Sequence, residues 1–114
     1  MSELFVTLPK KWKVGSYTFG VHLFPTNSQE IDGVDGHTDF AKQMICLDES
    51  MSAERAAVVV LHEAIHVINW VFGVTDDSSE EEFTTQVSTG LMSFWKENPK
   101  VMTWLNKTRK LKSV

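Results

Sequence analysis

From Ser52 to Phe72 the chain contains neither proline nor glycine, and Gly73 follows at once. That run predicts a helix, because only glycine and proline break a helical backbone outright. Ser50 or Ser52 can cap its start, Glu54 suits the positive end of the dipole, and Gly73 suits the stop. Ala53, Ala57, Val60, Ala64 and Val71 fall on one side, with Leu61, Val67 and Ile68 beside them. Arg55, His62, Glu63, His66 and Asn69 make a narrow polar stripe opposite, flanked by Val58, Val59, Ile65 and Trp70. A helix so nearly apolar all round is expected in a core, with its polar groups paired there. Its many β-branched residues lower intrinsic propensity, so packing has to hold it.

The polar stripe contains His62-Glu63-Ala64-Ile65-His66, a His-Glu-x-x-His pattern. Residues four apart on a helix share a face, so both imidazoles can aim at one point. Zinc accepts two such nitrogens at about 2.0–2.1 Å. Glu63 sits about 100° round from His62, off the ligand line but within reach of a water at the metal. Two ligands and one general base are what metal-assisted hydrolysis needs. Polar groups on an apolar helix also need partners, and a metal pairs these at once.

At 114 residues and 42% hydrophobic, the chain predicts one domain, 1–114, able to bury a modest core without disulfides. Cys46 is single, which fits a reducing cytosol, and its place in Met44-Ile45-Cys46-Leu47 makes it a small core residue rather than a ligand. No secretory leader and no membrane-length apolar run is apparent, so a cytoplasmic protein without a membrane partner is expected. A net charge of −4 argues against general nucleic-acid binding. The charge is uneven: Asp76, Asp77, Glu80, Glu81 and Glu82 cluster, while Lys107, Arg109, Lys110 and Lys112 make residues 106–114 a basic tail.

Taken in order, residues 1–10 read as an irregular lead-in. Trp12–Val14 and Tyr17–Phe24 read as a hairpin turning near Gly15, with alternation at Tyr17, Phe19, Val21 and Leu23. Pro25 to Gly36 reads as loop, marked by Asp32-Gly33. His37–Phe40 and Gln43–Asp48 read as two short strands joined at Ala41-Lys42. After the motif helix, a second helix is expected from Ser79 to Glu97, capped by Ser78 or Ser79, with an apolar stripe of Phe83, Val87, Leu91, Phe94 and Trp95. Gly90 would let it approach a neighbour closely, and Val101–Lys107 adds a last short helix. The expected class is α+β: a small antiparallel sheet of three to five strands followed by helices.

A catalytic zinc usually takes three protein ligands and keeps one position open. The acids that begin the second helix are the place to look for the third. Glu82 borders the apolar stripe and ranks first; Glu81, Glu80 and then Asp76 or Asp77 follow. Gln86, one turn on, can orient a ligand through its amide.

The blocks Leu61-His62-Glu63-Ala64-Ile65-His66 and Glu81-Glu82 through Gly90-Leu91 to Asn98-Pro99 resemble small phage-encoded zincin-type metallopeptidase proteins, distant relatives of the ImmA/IrrE metallopeptidase family. The likeness covers about residues 36–105. It implies a minimal gluzincin-like domain in the host cytoplasm, with His62, His66 and Glu82 as ligands to one zinc per chain and Glu63 as the catalytic base. Ile65 stands where the family pattern commonly has Gly, and Thr84-Thr85-Gln86 replaces an Ala-rich stretch.

The leading expectation is therefore a zinc-dependent hydrolase, a metallopeptidase acting on a protein or peptide. Gln43–Asp48 would hold substrate by strand pairing, and His37, His22 or Tyr17 would steady the oxyanion. One alternative is a metal-stabilised interaction protein without activity, meeting a partner protein or nucleic acid through its basic tail or a tryptophan face. Another is hydrolysis of a non-peptide amide or ester.

Overall fold

Gly15, at φ +60°, reverses the chain between strand β1 (Lys11–Val14) and strand β2 (Tyr17–Phe24), a left-handed conformation that side chains resist. Trp12 pairs with Phe19 and Val14 with Tyr17, so the hairpin has the register its alternation suggests. The computed structural model describes residues 3–25, 35–75 and 77–111. The loop markers Asp32 and Gly33, and the candidate ligand Asp76, lie outside the described residues. Next among the described residues come strands β3 (Gly36–Asp39) and β4 (Met44–Asp48), then helices α1 (Ala53–Val71), α2 (Glu80–Glu97) and α3 (Pro99–Thr108).

The class is α+β, with a four-stranded sheet in the order β1-β2-β4-β3. The sheet is mixed rather than antiparallel. β4 runs parallel to β2 and antiparallel to β3, because the chain lays β3 outside and returns between β2 and β3. Gln43, at φ 52°, makes the tight turn and leaves β4 to begin at Met44. This order also corrects the strand expected to meet substrate. β4 has a neighbour on both sides, and β3 forms the edge.

One face of the sheet packs on α1. Trp12, Val14, Phe19, Ile45 and Leu47 meet Val60, Ala64, Val67 and Ile68, joined by Phe94, Val101 and Trp104 from the other helices. The lead-in is not loose. A 3-10 turn at Glu3–Phe5 puts Phe5 and Leu8 into the same core, and Phe5 stacks on Trp104 with ring centroids 5.8 Å apart. Lys10 Nζ donates to the carbonyls of Phe5 and Leu8, and burial lowers its pKa.

Ser52 caps α1, accepting from the Arg55 N–H, and Ser79 caps α2. The expectation that α1 would be buried nearly all round is overturned: Val58, Leu61 and Ile65 lie exposed. Four strands and two further helices cannot surround a helix of this length on every side. On α2, Phe94 and Gly90 are buried while Phe83 and Trp95 are exposed, so its inward stripe is narrower than the sequence suggests. Gly90 makes the close approach expected of it: a Cβ there would stand 2.6 Å from Ile68 Cγ2. The basic tail begins later than expected, since Asn106–Thr108 belong to α3 and Thr108 is buried.

Asn98, between α2 and α3, closes the other edge of the sheet. Its Oδ1 accepts from the Lys13 backbone N–H at 2.9 Å, and its Nδ2 donates to the Lys13 carbonyl at 2.6 Å. No helix among the described residues is long and apolar enough to cross a membrane.

Candidate metal and hydrolytic site

The four-residue spacing on α1 brings the two histidines together. His62 Nε2 and His66 Nε2 stand 2.9 Å apart, with ring planes at 80° and both side chains exposed. The contact is a hydrogen bond in which one imidazole N–H donates to the other ring's lone pair. With both rings in the tautomer that leaves Nε2 bare, the pair would be a donor set that a divalent metal fits.

Glu63 takes a different course from the stripe expected of it. It is buried, at 4% exposure, and turns toward the sheet. There Thr38 Oγ1 on β3 donates to Glu63 Oε1 at 2.8 Å. Oε2 receives no hydrogen bond among the described residues, which leaves it able to take a proton.

β3 is laced to α1 along its length. Arg55 Nε pairs with Asp35 Oδ2 at 2.6 Å, just before the strand begins. Gly36 packs so closely on Val59 that a Cβ would fall 2.9 Å from Val59 Cγ1. Thr38 holds Glu63, and Phe40 stacks on Trp70 at 5.3 Å. From Val59–Gly36 to Glu63–Thr38 the helix advances four residues, about 6 Å, close to the advance of two strand residues. The strand therefore runs along the helix, and the seam between them holds the base.

The expected third ligand is placed elsewhere. Glu82 is fully exposed and forms a capping box: its Oε1 accepts from the Ser79 N–H at 3.0 Å, while its own N–H donates to Ser79 Oγ at 3.1 Å. The Ser79 N–H, and then its hydroxyl, hold the Glu82 carboxyl below its ordinary value. α2 packs antiparallel to α1, with Gly90 against Ile68 and Phe72 and Gln86 beside Gly73. Glu82 stands one turn before Gln86, past the C-terminal end of α1. Among the described residues no three His, Cys, Asp or Glu side chains gather into a metal-holding group.

Two carboxamide oxygens, Asn69 Oδ1 and Gln86 Oε1, are buried without a hydrogen-bond partner. Asn69 lies three residues after His66 on the same face, so an orphaned acceptor sits one turn from the histidine pair. That acceptor adds oxygen to the donor chemistry available near the imidazoles.

The candidate oxyanion donors are not gathered at the pair. His37 neighbours Thr38 and so points to the opposite face of β3. His22 and His37 both pair in register with Cys46, which puts them on that far face too. Tyr17 instead packs against Trp70, centroids 4.9 Å apart. Concave regions occur along α2 at Ser88, Met92 and Lys96, and between α3 and the lead-in at Thr7, Lys100 and Lys107. Neither carries a histidine or a pair of carboxylates, so side-chain chemistry rather than concavity selects the α1–β3 seam.

Sequence reasoning did not single out Thr38 or the ring cluster of Tyr17, Phe40 and Trp70. Alternation along His37–Phe40 was the available signal, because it puts Thr38 and Phe40 on one face.

No family model matches the chain, and neither a curated protein nor a solved structure matches it.

Proposed function

We propose that this protein is a zinc-dependent hydrolase of peptide bonds, a metallopeptidase that uses one zinc ion per chain. The observation that carries the reading is the 2.9 Å approach of His62 and His66 on the exposed face of α1, with Glu63 next to His62 in the chain and held by Thr38. His62 and His66 hold the metal in this reading. The third ligand comes from the start of α2, Glu82 ahead of Glu81 and Glu80, or from Asp76 or Asp77. Glu82 would have to leave Ser79 to serve, which makes its substitution informative. Bound there, zinc would acidify a water and polarise a carbonyl. Glu63 accepts the proton and delivers it to the leaving amine. In this reading Thr38 fixes one carboxylate oxygen and the other takes the proton. The outer edge of β3 offers backbone groups to an extended peptide. The resemblance to small phage-encoded metallopeptidases supports a host-cytoplasm setting for this chemistry.

The test is metal content by elemental mass spectrometry on chain purified without a chelator or metal-affinity tag. Wild type is compared with His62→Ala and Glu82→Ala, and Glu63→Gln is assayed on a peptide library. About one zinc per chain, absent from His62→Ala, is expected, with hydrolysis lost in Glu63→Gln while zinc stays. Zinc lost from His62→Ala but retained in Glu82→Ala moves the third ligand to Glu81, Glu80 or an aspartate. No zinc in wild type after incubation with the metal overturns the reading.

A second reading has its own observation. Val58, Leu61 and Ile65 are exposed along α1 beside His62, as a partner-binding helix face would be. In that reading the metal steadies an interaction protein, and zinc would bind without any turnover.

A further inference from the structure

The rings of Tyr17, Phe40 and Trp70 form a half-exposed shelf where α1 passes the end of β3, and we propose that this shelf binds an aromatic side chain of the peptide substrate beside the scissile bond. The inference rests on the hydrolase reading and deepens it by naming the substrate class.

Trp70 is the centre of the shelf. Its ring lies 4.9 Å from Tyr17 at 62°, 5.3 Å from Phe40 at 23°, and 6.0 Å from the buried Phe19 at 85°. The cluster thus stands on the core, yet Trp70 is 43% and Tyr17 40% exposed. Trp12 and Trp104 behave differently: both are buried, and each donates its indole N–H to a backbone carbonyl, Pro9 and Leu4 respectively. The Trp70 indole N–H has no partner among the described residues. A half-open tryptophan with a free donor, backed by fixed rings, presents area at low entropic cost.

Position ties the shelf to the chemistry. At about 100° per residue, Trp70 falls between Glu63 and His66 in direction around α1. It lies about 6 Å beyond His66 along the helix, about two residues of an extended peptide. Phe40 follows β3 directly, so α1 and the end of β3 each supply a ring. The cluster contains no carboxylate and no cation. Edge-to-face and offset ring pairs leave room for one more ring in the same geometry. An aromatic side chain is the occupant this chemistry fits.

The experiment titrates zinc-loaded full chain with phenylalanine hydroxamate and with glycine hydroxamate, following the tryptophan indole N–H signals by NMR. Wild type should bind the phenylalanine compound about tenfold more tightly. Trp70→Ala should erase that preference and leave glycine hydroxamate unchanged. Trp70→Phe should retain part of it, which keeps the test valid if the alanine variant folds poorly. Trp95→Ala, at a more exposed tryptophan on α2, should change neither. Equal affinities in wild type, or a preference that survives Trp70→Ala, would overturn the shelf and leave the zinc site standing. A Trp70 signal that moves on dilution without ligand would assign the shelf to a second copy of the chain and overturn the proposal. Phenylalanine hydroxamate moving the Trp70 signal as strongly in zinc-free chain as in zinc-loaded chain would overturn the zinc reading and leave the shelf. If neither compound binds, both are overturned.

Discussion

Thr38 Oγ1 reaches across from β3 to donate to Glu63 Oε1 at 2.8 Å, and Glu63 is one of the few buried charged side chains among the described residues. Removing the donor while keeping the shape isolates that bond. Thr38→Val should destabilise the fold by about 1–3 kcal/mol, because it leaves a buried acceptor without its partner. Thr38→Ser should recover most of the loss. Urea midpoints of the three proteins check this, and coincident midpoints for wild type and Thr38→Val would show that Glu63 does not depend on the strand.

Asn98 serves two elements at once, since besides Lys13 it donates from Nδ2 to the Phe94 carbonyl at 3.0 Å. Asn98→Ala should cost about 2–3 kcal/mol through the stranded backbone groups. It should also speed hydrogen exchange at the Lys13 amide more than at Phe19, which sits inside the sheet. Unchanged exchange at Lys13 would mean that water replaces the asparagine without loss.

Gly90→Ala sets a gain against a clash. Alanine improves helix propensity by about 1 kcal/mol. Its Cβ would fall 2.6 Å from Ile68 Cγ2 and 2.9 Å from Phe72 Cδ2. Overpacking of that kind costs about 1–3 kcal/mol, so the variant should be the less stable protein. Adding Ile68→Ala should give a double variant more stable than the two separate losses predict, the signature of neighbours in contact. Strict additivity in thermal melts would place the strain elsewhere.

Glu82 makes a pH-dependent contribution whose sign follows from its lowered pKa. Its carboxylate in the folded chain titrates below the ordinary 4.5. Stability from the ionised cap is therefore present above that ordinary value and is lost as pH falls through the lower folded value. Glu82→Gln keeps an acceptor for the Ser79 N–H but not the charge. In metal-free protein, the melting-temperature gap between wild type and Glu82→Gln should be open at neutral pH and close as the solution is acidified below the ordinary 4.5. A gap that does not vary with pH would refute the cap as the cause.

Helix ends were the most legible part of the chain. Ser52, Gly73 and Ser79 each act through local chemistry, and α1 and α2 end within a residue of where that chemistry puts them. The histidine pair was legible for the same reason, since residues four apart on one helix meet whatever surrounds them. Strand direction was not. Alternation in Tyr17–Phe24 and Gln43–Asp48 says which residues share a face but not that β4 returns parallel to β2. Glu63 looked like part of the polar stripe because it follows His62. Its turn inward depends on Thr38, a partner 25 positions away in sequence. Glu82 failed as an inward-facing residue because its own first-turn position offered a nearer partner in Ser79.

Trp104 bonds to the Leu4 carbonyl across 100 positions of sequence, and Asn98 bonds to Lys13 across 85. During synthesis, the segment that opens the chain is thus made long before its partners. β1 can pair with β2 early, since a hairpin needs only local closure, but its outer edge stays open to other chains until α3 has emerged and docked. A protein wired this way completes this part of its fold only once α3 has been made. A nascent chain halted before Asn98 would carry an unguarded strand edge and an unfilled groove over Phe5, a state that chaperones bind.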